Sequence, residues 1–266
     1  MVSNKDSIQN TFTIALVVSL VCASVVSFAA VGLRSLQDAN KLRDRKANIL
    51  AAAGLMENDP DIDALYGERI EDVVIDLETG RDVSAEVRTE FTDVANFDPI
   101  DLAESGNTKH SEKLDEDPAT IKRRENWSHV YIVKTSKDDP TPLMYVFPIR
   151  GKGLWSILKG FIALDADLNT IKGITYYSHA ETPGLGGEVD NPEWKSHWQG
   201  KLLFDESGKV AMRMIKTEWK DEPHAVDALS GATITCRGVE KMLDFWMGET
   251  GFGPYLAKLK SQQIGN

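Results

Sequence analysis

Apolar positions along this chain fall into three regimes. Between Asp6 and Arg34 no charged residue occurs, and residues 12–33 are almost wholly apolar or small. That predicts a helix with the roughly 20 residues needed to cross a bilayer. Residues 33–55 stay helix-prone, dominated by Ala, Leu, Lys, Arg and Gln until Gly54, so the helix is expected to run past the apolar stretch. Residues 56–125 are acidic and mixed; within them residues 73–77 predict a short strand ending at Thr79 and Gly80. Residues 96–117, rich in Asp, Asn, Gly and Ser, predict loop. From Val130 the pattern turns to β. Residues 130–133 and 144–147 flank a turn at 138–142, and residues 159–164 and 171–177 flank another at 165–169, which predicts two hairpins. Residues 192–201 predict a short helix whose Trp194 and Trp198, at i and i+4, belong to the core. A strand is expected over 210–215. Val239, Met242, Leu243, Trp246 and Met247 then follow the spacing of one buried helical face, and residues 254–262 predict a short amphipathic helix. The sum is an α+β chain with a mostly antiparallel sheet and flanking helices behind one N-terminal transmembrane helix.

Charge and cysteine content narrow the functional classes. The chain carries a formal charge of −11. Residues 1–46 hold six Lys or Arg against three Asp or Glu, so residues 47–266 hold 24 basic and 38 acidic side chains, net −14. Such a surface excludes nucleic acid as a partner. Cys22 lies in the apolar span and Cys236 in the soluble part. They do not staple the domain, and they lack iron–sulfur or zinc spacing, so no metal is expected on this chain. No Gly-x-Gly-x-x-Gly precedes a helix, so NADH oxidation is not expected here either. The apolar run exceeds the roughly 7–15 residues of a signal-peptide core, and Lys5 beside Asp6 is not a basic leader, so a retained anchor is expected.

Candidate chemistry concentrates where Asp227-Ala228-Leu229-Ser230-Gly231-Ala232-Thr233 feeds the helical face. The first N–H groups of a helix lack internal partners and its macrodipole is positive there, an arrangement that favours a phosphate. Gly231 permits close backbone approach, Ala232 adds little bulk, and Ser230, Thr233 and Thr235 supply hydroxyls. The local alternative is that Thr233 or Thr235 simply caps the helix. Upstream, Pro183, Gly184, Gly186 and Gly187 punctuate a loop after the second hairpin. Its His179 and Glu181 read as hydrogen-bonding fixtures rather than an acid–base pair, and no catalytic residue is assigned. Between the hairpins, Gly151 and Gly153 allow tight turning beside the aromatic face of Trp155.

Asp227-x-x-Ser230-Gly231-Ala232-Thr233 resembles the flavinylation motif of the FMN-binding domain family, in which the last threonine carries FMN through a phosphoester. Ser178-His179-Ala180-Glu181-Thr182-Pro183-Gly184-Leu185-Gly186-Gly187 resembles a second signature of these domains, and Gly151-Lys152-Gly153-Leu154-Trp155 a third. The apolar segment followed by Lys46-Ala47-Asn48-Ile49-Leu50-Ala51-Ala52-Ala53-Gly54-Leu55 is similar to the C subunit of the sodium-pumping NADH:quinone reductase. The resemblance implies covalent FMN on Thr233. It also implies that Ser230, Gly231, Ala232 and Asp227 present that threonine to a flavin transferase. Thr235 would serve as a phosphate or cap partner, and Glu181, Thr182, Leu185, Gly186 and Trp155 as cofactor contacts. Cys236 stands where many relatives have Ser. The implied divisions are residues 1–33 as tail and span, 34–125 as linker helix and first part of the soluble domain, and 126–266 as FMN-binding domain. The implied partners are membrane lipid, the transferase and the other subunits of a complex coupling NADH oxidation and quinone reduction to sodium export, in a bacterial inner membrane. The positive charges after the span would place the large domain in the cytoplasm, whereas the resemblance implies the periplasmic side, and the expectation follows the resemblance. Two other readings stay open: the flavoprotein subunit of an Rnf-type ferredoxin:NAD oxidoreductase, and a membrane-anchored binding or assembly protein without redox function.

Overall fold

A computed structural model describes residues 8–56, 60–83 and 98–264. The chain divides into two compact units, Met1–Asp44 and Arg45–Asn266. Helix α1 (Ile8–Ala52) is 45 residues long, and its apolar part is long and apolar enough to cross a membrane, with none of that stretch buried in the protein. It ends as a glycine-terminated helix should. Gly54 takes φ +69°, and the N–H groups of Leu55 and Gly54 return to the carbonyls of Leu50 and Ala51 at 2.8 and 3.0 Å, satisfying acceptors the last turn would leave open.

The soluble unit is built on an antiparallel sheet of five strands in the order β1-β4-β5-β6-β7: β1 (Ile70–Asp76), β4 (Trp127–Lys134), β5 (Pro142–Lys152), β6 (Ile157–Asp165) and β7 (Ile171–Ser178). The expected strand and both expected hairpins are present. The central strands read as near-continuous apolar runs because both faces are covered, and strand side chains alternate between faces. Tyr145, Phe147 and Ile149 of β5 and Leu158, Ile162 and Leu164 of β6 join the main core with Trp194, Trp198, Leu243 and Trp246. Val146 of β5 and Phe161 and Ala163 of β6 face the other way, onto Ile49, Ala52 and Ala53 at the end of α1. Thr175 of β7 donates to the Asn48 carbonyl at 3.2 Å, fixing that end of the helix to the sheet.

Several expectations need correction. The segment expected to be loop over 96–117 contains, in its described part, helix α3 (Pro99–Glu104) and strand β2 (Ser111–Lys113), which pairs with β3 (Arg123–Glu125); residues 96 and 97 lie outside the described residues. Asp98 caps α3 by accepting from the N–H groups of Ile100 and Asp101, with proline at its first position, a start signal that outweighs the loop-like composition. Helix α2 (Ile62–Arg69), capped by Asp61, has no fully buried residue and therefore lacked a hydrophobic period to announce it. The strand expected over 210–215 shrinks to β8 (Arg213–Ile215), which pairs in parallel with β9 (Ala225–Asp227). Val210 instead forms an isolated bridge with Phe204.

Helix α4 (Pro192–Ser196) carries Trp194 against Trp198, both buried, in an edge-to-face contact at 5.4 Å. Helix α5 (Thr233–Trp246) lies against the end of β5, and α6 (Gly253–Ile264) closes the chain's described part. Trp246 Nε1 donates to the Arg150 carbonyl at 2.6 Å. The Arg150 guanidinium, 5.1 Å from the Trp246 ring centre, pairs with buried Glu125 at 2.5 Å and donates to the Arg123 carbonyl at 3.0 Å. Two glycines permit the approach. A Cβ at Gly151 would sit 2.7 Å from Met242 Cβ, and one at Gly238 only 2.2 Å from the Lys152 carbonyl oxygen. An exposed helical Gly→Ala change stabilises by roughly 0.5–1 kcal/mol. Gly238→Ala should instead destabilise the domain by roughly 1–3 kcal/mol through overpacking, read as a lower urea midpoint; a raised midpoint would contradict this packing.

Candidate functional site

Three loops distant in sequence meet at the buried carboxylate of Glu181. The turn after β5 delivers the N–H groups of Leu154, Trp155 and Ser156 at 3.1, 2.9 and 3.1 Å, with the Ser156 hydroxyl at 3.3 Å. The first turn of α5 delivers the Thr235 hydroxyl at 2.7 Å. Ser156 Oγ also accepts the Ala180 N–H at 2.8 Å, so the 151–156 and 178–187 loops are stitched at two points. Burial by itself would raise the Glu181 carboxyl, but the Thr235 hydroxyl and the three backbone donors favour the anion more strongly and hold it below the ordinary glutamate range. Space is as tight as the bonding. A Cβ at Gly153 would lie 2.7 Å from Glu181 Oε1, and one at Gly186 would lie 2.6 Å from Thr235 Oγ1 and 2.8 Å from Glu181 Oε2.

Helix α5 starts at Thr233 with Ala232 in the cap position and no side-chain cap hydrogen bond. The opening N–H groups are therefore not met by a side chain, unlike those of α2, α3 and α4, which Asp61, Asp98 and Asn191 cap. Gly231 takes φ +71°, and a Cβ there would come within 2.9 Å of Leu185 Cδ2, so the turn before the helix rests directly on the 181–187 loop. Thr233 is exposed. Around this junction Leu154, Trp155, Leu185 and Ile234 are exposed apolar side chains, Trp155 at 66 %.

The residues singled out from the sequence divide by depth. Ser230, Gly231, Thr233, Thr182, Leu185 and Trp155 are at the surface, while Ala232 and Gly186 are buried beneath them. Asp227 ends β9, and its carbonyl accepts Trp194 Nε1 at 2.8 Å. Thr235 is corrected: it is fully buried and its hydroxyl is committed to Glu181, so it neither caps α5 nor reaches the surface to meet a phosphate. Glu181 is likewise a buried tie between loops, with both oxygens occupied by the protein's own donors. His179 is the fixture expected, bonding Asp190 at 2.6 Å through Nε2 and accepting the Glu181 N–H at Nδ1. Cys236 is buried, which pushes its thiol up and keeps it from acting as a thiolate. One residue of the Glu181 cluster escaped the sequence reading: Ser156 has no local signal, because its partners lie 24 and 25 positions away.

The donor set and shape suit a flavin mononucleotide: an exposed hydroxyl at an uncapped helix start for the phosphate, and an apolar rim for a ring system. The model of the FMN-binding domain family matches residues 153–248, a span that contains the three donors to Glu181 from residues 154–156, the 178–187 loop and the first turn of α5, and with α1 this defines a class of FMN-binding-domain proteins preceded by an apolar helix. Over 98 % of both chains the sequence is 44 % identical to the C subunit of the Na(+)-translocating NADH-quinone reductase of Vibrio parahaemolyticus. It is also 44 % identical to the corresponding C subunit of Neisseria meningitidis serogroup B, over 97 % of this chain and 96 % of that one. The crystal structure of Shewanella oneidensis NqrC superposes with a TM-score of 0.75 at 37 % identity, covering 84 % of this chain and 99 % of that one. The chain belongs to the family of Na(+)-translocating NADH-quinone reductase C subunits.

A carboxyl held below its unfolded value contributes stability that is present above the ordinary glutamate pKa of about 4.3 and is lost as pH falls through its lower folded value. Glu181→Gln should therefore lower the urea midpoint at neutral pH, because an amide NH₂ then faces N–H donors. Its midpoint should also decline less steeply than the parent's as the pH drops below about 4.3. Parallel acid limbs for the two proteins would remove Glu181 from this role.

Proposed function

We propose that this chain is the FMN-carrying electron-transfer subunit of a membrane NADH:quinone reductase that exports sodium, with the flavin phosphate esterified to Thr233. The observation that carries this reading is the exposed Thr233 at the uncapped start of α5, inside the family match and beside the rim of Leu154, Trp155, Leu185 and Ile234. Bound FMN supplies one-electron redox chemistry. The chain's own residues do the rest. Thr233 would provide the attachment oxygen: its Oγ1–P bond would form as the bond from that phosphorus to the leaving group of an activated flavin nucleotide breaks, with the hydroxyl proton passing to the transferase. The opening N–H groups of α5, which no side chain caps, would offer donors to the phosphate. Ser230, Gly231, Ala232 and Asp227 form the turn that a flavin transferase reads. Thr182, Leu185 and Trp155 offer surface to the ring, while Gly186 and Glu181 fix the loops beneath. Tethering keeps the cofactor in place without a deep enclosing pocket, leaving its ring accessible to carriers on neighbouring subunits.

In this reading α1 anchors the chain in the bacterial inner membrane, in contact with lipid, and the soluble unit lies on the periplasmic side. Residues 126–266 act as the flavin domain, with residues 34–125 contributing the linker helix and β1. The Rnf-type alternative loses ground because the relatives named above are NADH-quinone reductase C subunits matched over nearly their whole length.

Co-expressed with a flavin transferase, the protein should gain the mass of FMN less one water on the peptide that holds Thr233, and it should fluoresce in a denaturing gel under ultraviolet light. Thr233→Ala should fold, with a free energy of urea unfolding unchanged to within about 0.5 kcal/mol, as befits an exposed position, and should carry no covalent flavin. A covalent flavin retained by that variant would refute the attachment site.

A further inference from the structure

The side chain four positions beyond Thr233 has no assigned role. Arg237 is exposed, and among the described residues its guanidinium makes no hydrogen bond or ion pair. On an α-helix the residues at i and i+4 are neighbours on one face, and every Cα–Cβ bond tilts toward the N-terminus, so a long side chain at position 237 can reach back to the turn that holds Thr233. The acid that would otherwise compete for it on the same helix, Glu240 at i+3, is engaged elsewhere: its Oε1 accepts the Met214 N–H at 2.7 Å. Ile234, on the remaining side, is apolar and exposed. Arg237 is thus a cation without a counter-ion one helical turn from an exposed hydroxyl, on a domain whose residues 47–266 sum to −14.

We propose that Arg237 is a positioning residue that clamps the phosphodiester carried by Thr233. A phosphodiester has two unbridged oxygens sharing one negative charge, and the planar guanidinium fork matches that pair with two parallel N–H···O bonds. One oxygen pair is then held between Arg237 and the opening N–H groups of α5, which stops the flavin from swinging about its single ester bond. The inference rests on the attachment proposed above and adds to it the group that restrains the tether.

The test is 31P NMR on the full-length, flavinylated protein in detergent, with attachment to Thr233 first verified by peptide mass in each variant. Raising sodium chloride from about 10 mM to about 1 M shortens the Debye length from roughly 30 to 3 Å. It should shift the phosphodiester resonance of the parent as the pair is screened. In Arg237→Met the resonance should already sit near the parent's high-salt position and should not respond to salt. Arg237→Lys, which keeps the charge but not the fork, should fall between the two. A resonance and salt response in Arg237→Met identical to the parent's would overturn the clamp while leaving the attachment intact. A parent with no phosphorus on Thr233 would overturn both. An Arg237→Met protein that stays unloaded while Arg237→Lys is loaded would also overturn the clamp and make Arg237 part of what the transferase reads.

Discussion

Glu181 is an anion enclosed by its own chain, and the site depends on it. A carboxylate removed from water is costly unless its lone pairs are met, and here the donors that meet them come from two other loops. The desolvation cost therefore becomes a constraint: the 151–156 turn, the 178–187 loop and the first turn of α5 are held at hydrogen-bonding distance of one point. Gly153 and Gly186 follow from the same demand, since a methyl group at either place would occupy the carboxylate's space. The surface features, Thr233 and the apolar rim, inherit their positions from this buried tie.

The sheet supplies the platform beneath it. Because β5 and β6 bury both faces, one face holds the end of α1 and the other holds α5. The Arg150 side chain binds Glu125 and lies against Trp246, while its carbonyl accepts the Trp246 indole N–H. Helix α5 is thereby fixed at its far end by Trp246 and at its near end by Thr235. A helix secured at both ends has little freedom to rotate, and the residues it presents outward are set by its period.

Much of this was legible along the chain and some was not, for identifiable reasons. The hairpins announced themselves because strands covered on both faces are continuous apolar runs bounded by turn residues. The buried face of α5 showed because its one-sided packing imposes a helical period. Helix α2 stayed hidden because it buries no complete side chain, and α3 because its Asp98-Pro99 start sits in a segment of loop-like composition. The Asp227 to Thr233 turn marked the candidate site along the chain, but the contacts inside it were not marked. Thr235 looked like a cap because capping is a local property, whereas its partner lies 54 residues away. Contacts across that distance leave no periodic trace.

The opposite fates of Thr233 and Thr235 have a chemical consequence. Two hydroxyls of the same kind stand two positions apart on one helical turn, roughly 200° apart around its axis. One faces water, and the other is wholly buried with its proton engaged by a carboxylate. Any group-transfer enzyme approaching the folded turn meets a regiochemical choice between these two threonines already made: the inner oxygen is out of reach of a bulky electrophile and would have to surrender its bond to Glu181 before it could react. Selectivity between the two threonines is thus written into the pitch of the helix, and no catalyst has to tell them apart.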